Sequence, residues 1–399
     1  MSSGLLQKLR MMDAAQQTQP RSHTAAPSPS KNSEPFHYVK ASFPLSSFCD
    51  CRFANSTNLQ TIFGVDFPSA IKREDFLFLD TETTGLSGGA GTLAFQIGIG
   101  YIQDNSFIVE QFLMRDYHEE PAMLSEVSAR CARFPALVTF NGKTFDVPLL
   151  KSRFLLNRRP SDCIPTFHAD VLFPARRLWK LRLGSCKLSR LEEALLGVTR
   201  QDDLEGALVP QTYFKYLRDG NFEPIEGILK HNQQDIVSLA QLFFFLCMQY
   251  AKPETIQSGE DLLSLARAHQ RGGQSAQAVK CYRLSAKGAT RSEAFQALAA
   301  HEKRQLHPEK ASRLYEVMVK RGDDPALAYE ALAKLAEHQQ KNIRQALHYT
   351  RQALLFLAEP SLYGNGAVQS NRIALQYRYA RLLRKQEKEN HPHSQEVSE

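Results

Sequence analysis

The segment that most narrows what this chain can be runs from Phe76 to Gly85. Four apolar residues, Phe76-Leu77-Phe78-Leu79, lead into Asp80-Thr81-Glu82-Thr83-Thr84-Gly85. A short apolar run closed by a turn signal predicts a buried strand. Residues i and i+2 of a strand point to one face, so Asp80 and Glu82 project side by side. Two carboxylates that close repel each other unless a cation lies between them. Oxygen ligands of this kind suit Mg²⁺ or Mn²⁺.

The surrounding pattern gives that strand a sheet. Phe95–Tyr101 and Phe107–Leu113 are further candidate strands, separated by Gly88-Gly89 and Asp104-Asn105 turn signals. Three strands at this spacing predict an antiparallel meander. A helix is expected over about 121–133, a fourth strand at Ala136–Phe140, and a helix at Val147–Leu156. The rest, to about residue 250, reads as mostly helical, including Leu188–Leu196 and Gly227–Met248. Strands first, then alternation with helices, predict a layered α/β domain over residues 76–252. Residues 1–35, rich in Ser, Pro and Gln, read as a disordered tail. Residues 36–75 form an N-terminal extension with no readable pattern.

Two later motifs carry acidic residues at element ends. Phe140-Asn141-Gly142-Lys143-Thr144-Phe145-Asp146 joins a strand to a helix start. Read alone, Asp146 fits a helix cap as well as a ligand. His231-Asn232-Gln233-Gln234-Asp235 opens an apolar helix. Residues i and i+4 share a helix face, so His231 and Asp235 point the same way. Alone, this too fits an ordinary helix start.

In this order the three motifs resemble the DEDD, or DnaQ-like, exonuclease superfamily, which has a ribonuclease H-like fold of a mixed sheet with flanking helices. The nearest resemblance is to the YprB ribonuclease H-like family, in which tetratricopeptide-like repeats follow the nuclease domain. The resemblance implies that Asp80, Glu82, Asp146 and Asp235 hold two Mg²⁺ or Mn²⁺ ions and that His231 is the general base. It implies 3′–5′ exonucleolytic hydrolysis of DNA or RNA. One departure stands out: superfamily members with a catalytic His leave four residues before the last Asp, and here three intervene, the spacing found with Tyr. Asp170 is expected to play a structural part. Thr83, Gly85, Asn141 and Phe145 flank the carboxylates as candidate substrate contacts. Arg153, Arg158 and Arg159 are expected to grip the substrate backbone. The loop Ser87–Thr92 is small and flexible enough to let a nucleotide approach, or is simply a turn.

From residue 258 the chain repeats itself. Leu265-Ala266 recurs as Leu298-Ala299 and Leu332-Ala333, and Ala278 followed by Tyr282 recurs as Ala311 followed by Tyr315. Ala346 stands in the third copy. The 33–35-residue step predicts an all-α, tetratricopeptide-like array over 258–390, with a last helix near Ile373–Lys385. Such an array suggests a protein partner, with nuclease and repeat functions separable near residue 255. The net charge is +7; residues 1–250 balance at 26 basic and 26 acidic, so the excess lies in the repeats. Residues 151–200 are locally basic, with 11 against 4. Either stretch could attract phosphate backbones. Seven scattered cysteines, Cys49 and Cys51 among them, lack zinc spacing and read as reduced thiols. No apolar run reaches the ~18 residues of a membrane span, and no secretory leader is readable. These features predict a cytoplasmic location. Competing readings are a nucleic-acid scaffold that recruits a partner and a structure-specific endonuclease.

Overall fold

The computed structural model describes residues 34–48, 50–85, 91–200, 204–357 and 366–390, with side chains from 369 onward in the last stretch. Residues 1–33 of the expected tail, Cys49 and the Ser87–Ala90 part of the glycine loop lie outside the described residues.

Six strands form one sheet: β1 (His37–Pro44), β2 (Phe76–Thr83), β3 (Ala94–Gln103), β4 (Ser106–Leu113), β5 (Ala136–Thr139) and β6 (Phe167–Asp170). Their order is β1-β4-β3-β2-β5-β6. β2, β3 and β4 make the expected meander, and β5 and β6 continue it in parallel with β2. The helices around them are α1 (Ser56–Phe63), α2 (Glu120–Cys131), α3 (Asp146–Leu156), α4 (Leu172–Leu183), the short α5 (Leu188–Leu191), α6 (Val209–Asp219) and α7 (Glu223–Ala251).

Two elements depart from the sequence reading. β1 lies within the unplaced stretch 36–75, yet it pairs along its length with β4 and closes that edge. Its alternation is faint because an edge strand buries little, and Pro44 ends it where no ladder donor is needed. β6 falls in a region read as helical. Four residues, two of them polar, are too few to show a period.

Alternation along β2 divides the core. Phe76 and Phe78 face one side, against Phe243 and Phe244 of α7. Leu77 and Leu79 face the other, with Leu124 and Val127 of α2 and Leu150 and Phe154 of α3. The same alternation sends Asp80 and Glu82 to the α7 face.

Beyond α7 come α8 (Gly259–Arg271), α9 (Ser275–Ser285), α10 (Arg291–Arg304), α11 (Pro308–Arg321), α12 (Pro325–His338), α13 (Ile343–Phe356) and α14 (Gly366–Asn390). They pack as helix pairs at the repeat positions. Ala266, Ala299 and Ala333 are fully buried, as are Ala311 and Ala346; small side chains there let paired helices approach closely. The first pair does not stand apart from the sheet domain. Leu262, Leu263, Leu265, Cys281 and Tyr282 share one hydrophobic cluster with Trp179, Phe243 and Cys247. Arg182 of α4 pairs with Asp261 of α8 at 2.8 Å, and Gln274 donates to Thr61 of α1 at 2.6 Å. This continuity shows the first repeat pair completing the core behind α4 and α7, and bears on the expected separability near residue 255. Among the described residues no helix is long and apolar enough to cross a membrane, and six described cysteines are free.

Candidate metal centre

The carboxylates arrive from three elements. Asp80 and Glu82 end β2, Asp146 opens α3 after the β5 turn, and Asp235 sits in α7 one turn after His231. Asn141 takes a left-handed φ of 72° in the β5–α3 turn, a conformation that Asn tolerates better than most residues.

A row across the sheet explains how α7 comes so near. Asp80 faces Gly98, and Gly98 faces Gln111. The missing side chain at Gly98 leaves room for Asn232, whose amide lies where a Cβ would be. Asn232 fills the gap as a bridge. Its Nδ2 donates to Asp80 Oδ2 at 2.9 Å, and its Oδ1 accepts from Gln111 Nε2 at 3.0 Å. Gln111 also donates to the Leu229 carbonyl at 2.8 Å. Asn232 is fully buried and Gln111 2% exposed, so this polar chain fixes both the helix and the first carboxylate.

The electrostatics are those of crowded negative charge. Burial pushes Asp80 well above the usual carboxylate range, and the charges of Asp235, Asp146 and Glu82 add to it, against the Asn232 hydrogen bond. Burial lifts Asp146 to about 6; the Thr81 hydroxyl, donating to Oδ1 at 2.6 Å, opposes this, while the Asp170 charge adds to it. Burial also raises Asp235, against the attraction of His231 and Arg200. His231 Nε2 lies 3.6 Å from Asp235 Oδ2 and 3.9 Å from Glu82 Oε1. Glu82, His231 and Asp235 offer ligand atoms within 4.8 Å of one another. Buried carboxylates that raise one another's affinity for protons form a donor set that fits a divalent cation.

Arg200 belongs to this centre, and nothing in the sequence marked it. Its guanidinium grips fully buried Glu192 through two hydrogen bonds, Nε to Oε2 at 2.7 Å and Nη2 to Oε1 at 2.6 Å. Nη2 also donates to Asp235 Oδ1, and Nη1 lies 3.3 Å from His231 Nδ1. A guanidinium only donates. Nδ1 therefore accepts, and the proton of a neutral ring sits on Nε2, facing the carboxylates. Gln96 is a second surprise. It stands opposite Glu82 on the same face, fully buried, and neither polar atom of its amide has a partner.

The other expected residues divide. Asp170 is structural: it accepts the backbone N–H of Asn141 at 2.8 Å, Lys143 at 3.0 Å and Leu172 at 3.2 Å, and so shapes the Asn141 turn. Asn141 lines the cleft above Asp80. Thr83 turns its hydroxyl onto the Gly85 carbonyl at 2.9 Å, and Phe145 is half-buried just before α3. Arg153 is a correction. Its guanidinium is held by Glu120 through two 2.6 Å hydrogen bonds, and its side chain is only 12% exposed. It braces α3 against α2 and is not presented to a substrate.

A sheet of this order with acidic residues at its central strand and on the crossing helix defines a ribonuclease H-like, nuclease-type domain. A family model of the RNase H superfamily matches residues 77–247. A Bacillus subtilis (strain 168) protein bearing the name "Uncharacterized protein YprB" is 32% identical over 293 residues, 71% of this chain and 70% of that one. The chain belongs to the ribonuclease H-like family that includes YprB. A solved structure, the family B DNA polymerase from the hyperthermophilic archaeon Pyrobaculum calidifontis, aligns with a TM-score of 0.35 and 9% identity. The alignment spans 49% of this chain and 29% of the polymerase.

Proposed function

We propose that the protein is a metal-dependent 3′–5′ exonuclease of the DEDD type, acting on DNA or RNA. The observation that carries this reading is the cluster of Glu82, His231 and Asp235, with ligand atoms within 4.8 Å of one another, beside half-buried Asp80, on which the charges of Asp235, Asp146 and Glu82 act. Asp80, Glu82, Asp146 and Asp235 would hold two ions, Mg²⁺ or Mn²⁺, which supply charge neutralisation at the attacking and leaving oxygens. The protein's own part is to fix the ligands. Asn232 holds one oxygen of Asp80 and Arg200 one oxygen of Asp235, so each carboxylate presents its other oxygen in a set direction. His231 is the proton acceptor for the attacking water, through Nε2, the atom that faces Glu82 and Asp235. For Nε2 to accept, its own proton must pass to solvent while Nδ1 takes a proton in place of the Arg200 contact, so the Arg200 contact favours the tautomer that cannot accept at Nε2. The helical repeats extend the domain and offer a surface for a partner or a longer substrate.

The test is cleavage of end-labelled oligonucleotides with Mn²⁺, comparing wild type, Asp80→Asn and Asp146→Asn. Wild type should release mononucleotides from 3′ ends. Both variants should be inactive, while their melting temperature without metal equals or exceeds wild type, because each relieves carboxylate crowding. Full activity in either variant would falsify the assignment, and internal cleavage would turn it toward an endonuclease.

A further inference from the structure

The locally basic stretch 151–200 leaves one question open, since Arg153 is taken by Glu120. Some other part of that stretch faces the carboxylates. A cleft of about 780 Å³ opens directly over Asp80 and Asp235. One wall is a single face of α4, where Leu172, Arg176 and Lys180 follow at i, i+4 and i+8. Those two cations lie about 6 Å apart along the helix axis. The opposite wall is the turn after Gly184, which brings in Lys187. Phe140 and Asn141, at the end of β5, close the inner end.

The state of these cations is informative. Nearby arginines are committed: Arg182 to Asp261, Arg190 to Glu193, Arg200 to Glu192. Arg176, Lys180 and Lys187 are exposed and form no ion pair with any described residue. Three uncompensated positive charges around one cleft repel each other and attract a polyanion. The acidic floor excludes a free anion from resting on the carboxylates themselves, so the negative charge must run along the walls.

Resting on the nuclease reading, the geometry points to the cleft between α4 and the Gly184–Leu188 turn as the seat of a single nucleic-acid strand, with Arg176, Lys180 and Lys187 gripping its phosphates and Phe140 meeting a base at the inner end. A positively charged groove with an aromatic platform is how proteins hold single strands. The cleft's volume of about 780 Å³ is that of a small-ligand site, enough for the end of one strand.

The full-length protein is titrated without metal into fluorescein-labelled 20-residue oligo-dT and oligo-U, a blunt duplex of the same length, and a mononucleotide competitor, with anisotropy read between 50 and 200 mM salt. Single strands should bind at least about tenfold tighter than the duplex, and the mononucleotide should compete poorly. Three phosphate contacts imply a log–log salt slope of roughly −2 for single strands. The triple variant Arg176→Ala, Lys180→Ala, Lys187→Ala should flatten that slope and lose roughly tenfold or more in affinity at 50 mM salt. The triple exchange Arg176→Lys, Lys180→Arg, Lys187→Arg should keep most of both. Duplex binding as tight as single strand, an unchanged slope in the alanine variant, or full competition by the mononucleotide overturns the proposal. Cleavage with Mn²⁺ is scored separately. An alanine variant with wild-type affinity in a protein that cleaves sinks the cleft alone, whereas salt-sensitive strand binding in a protein that never cleaves sinks the nuclease reading alone.

Discussion

Arg200 holds Glu192, Asp235 and His231 together, and the consequences are unequal. Glu192 has no exposure at all, so removing the arginine leaves a buried, uncompensated carboxylate. Breaking a buried pair from one side costs about 3–5 kcal/mol. Arg200→Ala should therefore lower the melting temperature markedly and loosen Asp235, weakening Mn²⁺ affinity measured by titration calorimetry. Replacing both partners, Arg200→Met with Glu192→Leu, should recover most of the stability, because an apolar pair of similar volume often substitutes well, but not the metal affinity. A single variant that melts like wild type would show that the pair is not structural. Such a residue was not legible in the sequence. Asp80 and Glu82 announce themselves by i/i+2 spacing at a strand end, and His231 and Asp235 by i/i+4 spacing on a helix. Arg200 follows a turn of the chain and acts only through tertiary approach to α7. Arg153 was misread for the same reason, since its partner Glu120 lies 33 residues away. Gln96 looks like any polar residue in a strand until the sheet buries it beside Glu82.

At the scale of elements, the centre depends on how closely α7 lies on β3, and glycine sets that distance. Gly98 admits Asn232, and Gly100 admits Ile236 and Phe107. A Cβ on Gly98 would overlap the Asn232 carboxamide, which is pinned on both sides and cannot swing away. Gly98→Ala should push α7 outward and break the Gln111–Asn232–Asp80 chain. Overpacking of this kind costs typically 1–3 kcal/mol, and a displacement near 1 Å at the chemistry can cost ~10²-fold in rate. Cleavage should thus fall far more than stability. Pairing it with Asn232→Ala, which makes space, should restore the melting temperature toward that of Asn232→Ala alone. If Gly98→Ala cleaves at the wild-type rate, the packing argument fails. The meander and the long helix were legible, because ten apolar-rich residues of β3 and the periodic face of α7 exceed any local accident. The Gly98–Asn232 fit was not, since it joins residues that only the register of three strands brings into line.

For the whole molecule, the boundary drawn by composition and the one drawn by packing disagree. The Ala- and Leu-rich repeat starts near residue 258, and its three helix pairs appear where the 33–35-residue step places them. Yet α8 and α9 finish the core behind α4 and α7. Leu262, Leu263 and Leu265 are each at most 1% exposed, and fully burying a Leu is worth about 1.5–3 kcal/mol. Three of them approach the 5–15 kcal/mol that holds a typical domain together, even allowing that burial sums are upper estimates. Truncation after residue 255 also leaves Trp179 and Cys247 without their cover and Arg182 without Asp261. The fragment 1–255 should therefore aggregate or melt well below the full chain. A fragment ending near residue 287, which keeps α8 and α9, should melt cooperatively and close to the full-length value, because the later pairs pack mainly on one another. Circular dichroism melts of the two fragments beside the intact protein decide the matter: equal stability of fragment 1–255 and the full chain would mean that the shared cluster contributes little, and that the repeat array is an independent module after all.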